Sequence, residues 1–107
     1  MGPGVVGFDW DKANRDECQK QDVQIATIES LFHGPIAVVP DPEHSDAEER
    51  FKAIGRTDEG RGVLIVFTLL RRHGDTFIRP VSARYMHRKE VEHYDQAIAK
   101  ADQRPGG

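Results

Sequence analysis

Hydrophobic and polar positions change period several times along the chain. Val63 to Leu70 is a near-continuous apolar run interrupted only by Thr68, rich in β-branched and aromatic types, with a turn signal at each end. That is the pattern of a strand buried on both faces at the centre of a sheet. His73-Gly74-Asp75 then reads as a reversal into a partner strand, Thr76 to Arg84, which alternates and carries Arg79 and Arg84. Upstream, Val5 to Trp10 alternates as a short strand, and Asp11 is placed to N-cap a helix over Lys12 to Gln21. Ile25, Ile28, Leu31 and Phe32 recur at helical spacing until His33-Gly34-Pro35 stops them. Ile36 to Val39 is a short strand closed by Pro40, Asp41 to Glu49 a polar loop, and Arg50 to Arg56 a strand turned by Asp58-Glu59-Gly60 into the apolar run. From Met86 the helical period returns, with His87, Val91, Tyr94, Ile98 and Ala101 on one face. The order β-α-α-β-β-β-β-α predicts an α+β fold: an antiparallel meander with helices to one side or end.

Composition narrows the class. A chain of 107 residues, 37% hydrophobic and 31% charged, reads as one soluble domain over 1–107 with one small core, residues 1–4 and 103–107 being expected to fray. The longest apolar run is too short to span a bilayer, and no basic-then-apolar leader opens the chain, so no membrane association is expected. A lone cysteine, Cys18, excludes an internal disulfide and a cysteine-based zinc site and suits a reducing cytoplasm. The net charge of −3 argues against unspecific nucleic-acid binding. Its distribution says more. Residues 1–60 hold 6 Lys/Arg against 13 Asp/Glu, and residues 61–107 hold 9 against 5. A basic second half attracts phosphates or an acidic partner even when the total is negative.

Arg79 and Arg84 lead the candidate chemistry, because a guanidinium is permanently charged and presents a planar donor fork that suits phosphate. In Arg79-Pro-Val-Ser-Ala-Arg84 the two arginines fall on opposite parity, unless a bulge at Pro80 re-aims Arg79. The competing reading is structural ion pairs with sheet-edge or loop carboxylates, and spacing alone favours it. Asp41, His44, Glu48, Glu49 and Arg50 form a second cluster, open to metal or acid–base chemistry. It lacks H-E-x-x-H or comparable spacing, so a solvated loop is expected and no metal. Lys20 complements a helix end. Trp10 reads as a packing anchor, Tyr94 as core with its hydroxyl at the edge, and Cys18 as a small buried hydrophobe. The residues alone yield a small α+β domain with a basic sheet end.

Several separated motifs in order resemble the BrnT family, the toxin half of bacterial type II toxin–antitoxin pairs. They are Phe8-Asp9-Trp10-Asp11, Asn14, Cys18 and Lys20; Asp41-Pro42, His44-Ser45 and Glu49-Arg50-Phe51; Gly55-Arg56 and Gly60-Arg61; Ile78-Arg79-Pro80, Ser82-Ala83-Arg84-Tyr85, Lys89-Glu90 and Tyr94. The resemblance implies a compact RelE-like antiparallel sheet with packed helices. It also implies a metal-independent, cofactor-free endoribonuclease that inhibits translation. The implied partner is a BrnA-like ribbon-helix-helix antitoxin, in a heterotetramer that touches operator DNA only through the antitoxin and represses its own operon.

Carried over by position, the resemblance implies catalytic roles for Arg79, Arg84, His44 and Glu90, and substrate contacts for Lys20, Arg50 and Tyr94. The arginines would hold the scissile phosphate and His44 or Glu90 would be the base. This chain departs from the family's Lys-His-Gly run, with Gln21 for the histidine and Asp22 for the glycine. An amide does not titrate, and aspartate tolerates a left-handed helix stop less well than glycine. The alternative is therefore a catalytically weakened homologue that acts only as an antitoxin-binding module or co-repressor. Direct DNA binding is weaker still, since no helix-turn-helix pattern is present.

Overall fold

The computed structural model describes residues 4–44 and 48–102, without the side chains of His44, Ile98, Ala101 and Asp102. The ends expected to fray, apart from Gly4, and the final helix's expected face positions Ile98 and Ala101 lie outside that description. The elements are β1 (Val5–Phe8), α1 (Lys12–Gln19), α2 (Ile25–His33), β2 (Ala37–Pro40), a 3-10 turn (Pro42–His44), β3 (Phe51–Arg56), β4 (Gly62–Arg72), β5 (Asp75–Tyr85) and α3 (Arg88–Asp102). They match the expected α+β order, with boundaries shifted by a few residues.

β4 is the middle strand of a five-stranded sheet ordered β1-β5-β4-β3-β2. Its alternate residues serve two cores. Val63, Ile65 and Phe67 pack with Cys18, Val23, Ile28, Leu31 and Phe32 beneath α1 and α2, the Phe32 ring standing edge-on to Phe67 at 5.1 Å. Leu64 and Val66 turn to the other face with Ile54, under Met86 and Tyr94 of the α3 segment. Thr68, the one polar break, is buried and donates its hydroxyl to the Glu49 carbonyl at 2.8 Å. The continuous apolar run is thus two alternating faces read in one line, each fully buried side chain contributing about 1.5–3 kcal/mol.

From β2 to β5 the sheet is the expected antiparallel meander. The β4–β5 reversal needs only His73 and Gly74, since Arg72 pairs with Asp75. Both turn residues have positive φ (51° and 85°), as a type I′ hairpin requires. β1 departs from the meander: it runs parallel to β5, Phe8 opposite Ile78, and makes the sheet mixed. α1 and α2 cover one face and α3 packs on the other.

The register slips once in β4–β5, Val66 facing Ser82 while Phe67 faces Pro80, so Val81 is an extra residue. This bulge has a consequence for the arginines. Arg79 lies opposite Thr68 and Arg84 opposite Leu64, four residues apart on β4, so both now share a face. The re-aiming anticipated at Pro80 therefore occurs, one residue later.

Asp11 caps α1 reciprocally with Asn14, as a capping box. Buried Asn14 also donates through Nδ2 to the Asp9 and Pro80 carbonyls, both at 2.9 Å, tying the helix start to β5. α1 stops at Gln19, before the expected Gln21, because Asp22 turns left-handed (φ 66°). Aspartate therefore takes the conformation that the family's glycine suits. Two stability changes of opposite sign are expected from urea melts. Asn14→Ala should cost about 2 kcal/mol by orphaning a buried carbonyl, and Asp22→Gly should add about 1 kcal/mol by relieving the left-handed strain.

Candidate functional site

A cleft of about 360 Å³ lies where the end of α1, the sheet and the first turns of α3 meet. Lys20 and Gln21 come from the α1 end, Lys52 from β3, Ser82 and Arg84 from β5, and Glu90 and Tyr94 from α3. Leu64 and Val66 line its floor. Four of the seven residues singled out in the sequence meet here: Arg84, Glu90, Lys20 and Tyr94.

The Arg84–Glu90 pair is a two-pronged contact in the cleft. Arg84 donates from Nη1 and Nη2 to both Glu90 oxygens, at 2.7 and 2.6 Å. Glu90 also accepts from the His87 backbone N–H at 3.1 Å, at the start of α3. The guanidinium hydrogen bonds first, and that backbone donor second, pull the Glu90 carboxyl down to about 2. The same pair raises Arg84. Glu90 is therefore ionised at neutral pH, and its hold on Arg84 uses two of the five guanidinium N–H donors.

Across the cleft, Lys20 pairs with Glu17, a contact that raises its ammonium. Lys52 was not anticipated. β3 alternation puts it on the face of Ile54, and the register aligns it with Val66 and through Val66 with Ser82. Its ammonium lies 3.9 Å from Oδ1 of the buried Asp41, and its side chain is 26% exposed, so charge is held near the cleft floor. The available signal was a lysine inside a strand next to the central one. Its direction depended on a register the sequence does not state.

Two further predicted residues, Arg79 and Arg50, are not in this cleft's lining. Arg79 donates from Nη1 to Asp9 at 2.6 Å and from Nη2 to Asp11 at 2.8 Å. Arg72 adds a contact to Asp9 at 3.3 Å. Arg79 thereby fastens the β1–α1 junction to β5, and the Asp11 carboxyl is lowered first by the Asn14 backbone N–H and then by Arg79. Arg50 precedes β3 and lies 3.8 Å from Glu48. The backbone of His44 ends the 3-10 turn, and its side chain lies outside the described residues. Arg79 and Arg84 thus both pair with carboxylates, as spacing alone favoured.

Trp10 anchors the strand–helix junction as expected, donating from Nε1 to Glu29 at 2.9 Å. Cys18 is buried, and its thiol is pushed up to about 11 chiefly by desolvation, so it is inert packing. No group of three or more potential metal ligands occurs among the described residues. No described helix is long and apolar enough to cross a membrane.

The molecule is a mixed-sheet α+β domain with a cleft lined by lysine and arginine side chains, each near a carboxylate. Residues 10–90 match the family described as ribonuclease toxin, BrnT, of type II toxin-antitoxin system. The chain belongs to the BrnT family, and is thus a ribonuclease toxin of a type II toxin–antitoxin system. Comparison with curated proteins finds no match.

The Glu90 pair makes a pH prediction. A carboxyl lowered by folding stabilises fully above its unfolded value, near 4.5, and that contribution is lost as pH falls toward 2. Acid melts of the wild type should therefore lose stability between about pH 4.5 and pH 2, and Glu90→Gln should flatten that limb. A limb of unchanged steepness would show that the pair does not persist in solution.

Proposed function

We propose that this toxin cleaves RNA without a metal, in the cleft around Arg84. The observation that carries the reading is Arg84 held on Glu90 between two lysines and above the apolar residues Leu64 and Val66. Transesterification needs a base for the 2′-hydroxyl, a cation on the pentavalent phosphorane, and a proton for the leaving 5′-oxygen. Arg84 is the cation. Its three remaining N–H donors meet non-bridging oxygens while Glu90 keeps the fork oriented. Lys20 and Lys52 add positive charge from the two walls, and the Tyr94 hydroxyl and Arg50 contact the neighbouring nucleotide.

Glu90 is a weak proton acceptor when drawn down to about 2, which leaves the base to His44. Arg79, already bound to two carboxylates, is assigned to holding the β1–α1 junction rather than the phosphate. The partner is a BrnA-like ribbon-helix-helix antitoxin in a heterotetramer, through which alone the complex contacts operator DNA and represses its own operon. The work is cytoplasmic, on messenger or ribosome-bound RNA.

A second reading keeps the antitoxin and drops the chemistry. Gln21 stands in the cleft lining where the family has histidine, and it cannot shuttle protons. Under this reading the protein is a weakened homologue that serves as co-repressor. Gln21→His separates the two: cleavage that appears only in that variant supports the weakened homologue.

In single-turnover cleavage of RNA in EDTA, Arg84→Ala should lose about 10²–10³-fold and Lys52→Ala about tenfold. Arg79→Ala should lower the melting temperature while keeping the rate per folded molecule. Wild-type cleavage abolished by the chelator, or equal rates in all three variants, contradicts the reading.

A further inference from the structure

Two arginines that the Arg84 cleft does not use meet at the same end of the sheet. Arg61 leads into β4, and Arg88 is the first residue of α3. The register brings their backbones together. Arg56 pairs with Gly62 and Val63 with Tyr85, and the Met86 N–H donates to the Gly62 carbonyl at 2.9 Å. Glycine at 62 permits this approach, since a Cβ there would stand 2.8 Å from Val91 Cγ2 and 2.9 Å from Met86 Cε. A cavity of about 610 Å³ opens beside the junction, and Arg56, Arg61 and Arg88 line it together with Glu92 and Asp95.

The charges there are not equally engaged. Arg56 donates to Asp95 at 2.8 Å, which occupies that acid. Among the described residues, neither Arg61 nor Arg88 is ion-paired, and both are exposed. Arg61 is nevertheless held in place: its guanidinium carbon lies 3.5 Å from the centroid of the Tyr85 ring. A cation–π stack engages the guanidinium face and leaves its N–H edge for a ligand. Tyr85 adjoins Arg84 in β5 but turns to the opposite face of the sheet, whereas Arg88 and Glu90 share the first turn of α3, so the two sites are linked through the start of that helix.

We propose that Arg61 and Arg88 form a second phosphate-binding subsite, which takes the backbone of single-stranded RNA beyond the nucleotide gripped at Arg84. The ligand is the phosphodiester backbone, and no base is read. The inference rests on RNA being the substrate of the Arg84 cleft. It adds that the RNA passes the α3 start and contacts a second surface, so that affinity comes partly from residues with no part in the chemistry.

The test uses the full-length toxin and a mixed-sequence oligoribonucleotide of about twelve nucleotides, followed by fluorescence anisotropy across a salt series. Each single-strand phosphate contact contributes roughly 0.7 to the slope of log affinity against log salt. The Arg61→Ala/Arg88→Ala protein should bind about tenfold more weakly at low salt, with a slope shallower by roughly 1.4. The Arg61→Lys/Arg88→Lys protein should keep the wild-type slope. Matching thermal melts establish that the variants are folded. If the wild type binds no RNA, the proposed function and this inference fall together. If the wild type binds and Arg84→Ala weakens it while the double alanine variant binds normally, this inference alone falls. It falls too if the double variant binds RNA normally but loses the antitoxin, which would make the surface a protein-docking site.

Discussion

A strand buried on both faces cannot carry charge along its length, and this constraint shapes the molecule. β4 commits every residue from Gly62 to Thr68 to the interior, so polar chemistry must come from its neighbours and from the ends of elements. β5 supplies it. It runs the full length of β4, and its bulge at Val81 lets one strand place Pro80 and Ala83 toward one core and Ser82 and Arg84 toward the cleft. α3 then starts within four residues of Arg84 and returns Glu90 to it. Arg84 and its carboxylate are thus local in sequence, and the rest of the fold forms the cleft in front of them.

The two leading arginines show how identical side chains on one strand acquire different work. Both share a face, and both bind carboxylates at short distance. Arg79 bridges two acids on either side of a strand–helix junction, and both of its terminal nitrogens are used in stitching distant parts of the chain together. Arg84 binds a single carboxylate six residues away and lies in the lining of an open cleft. Removal of the first takes a partner from two aspartates at a folding joint. Removal of the second unpairs one carboxylate close by in sequence.

Much of this was legible in the chain. The apolar run from Val63, the His73-Gly74 reversal, the Asp11 cap and the final helical period each rest on local chemistry, and each is present in the structure. Other features depended on pairings that local chemistry does not encode. Nothing in Val5 to Phe8 states that the strand pairs in parallel with β5, its partners lying at least 70 positions later. Lys52 could be seen as a strand residue, but its place in the cleft follows from facing Val66. The family's motifs pointed to seven residues, and the structure gathers Arg84, Glu90, Lys20 and Tyr94 from among them. The same motifs offered Arg79 as an equal of Arg84, because spacing cannot distinguish an arginine that closes a joint from one that lines a cleft.

The guanidinium at position 84 is the group proposed to meet the scissile phosphate. Chemical rescue tests this most directly: RNA cleavage by Arg84→Gly, measured with and without guanidinium ion in solution. Cleavage lost in the variant and restored in proportion to added guanidinium, with no matching restoration in Arg79→Gly, is the predicted result. Undiminished cleavage by Arg84→Gly, or guanidinium rescue confined to Arg79→Gly, would contradict it.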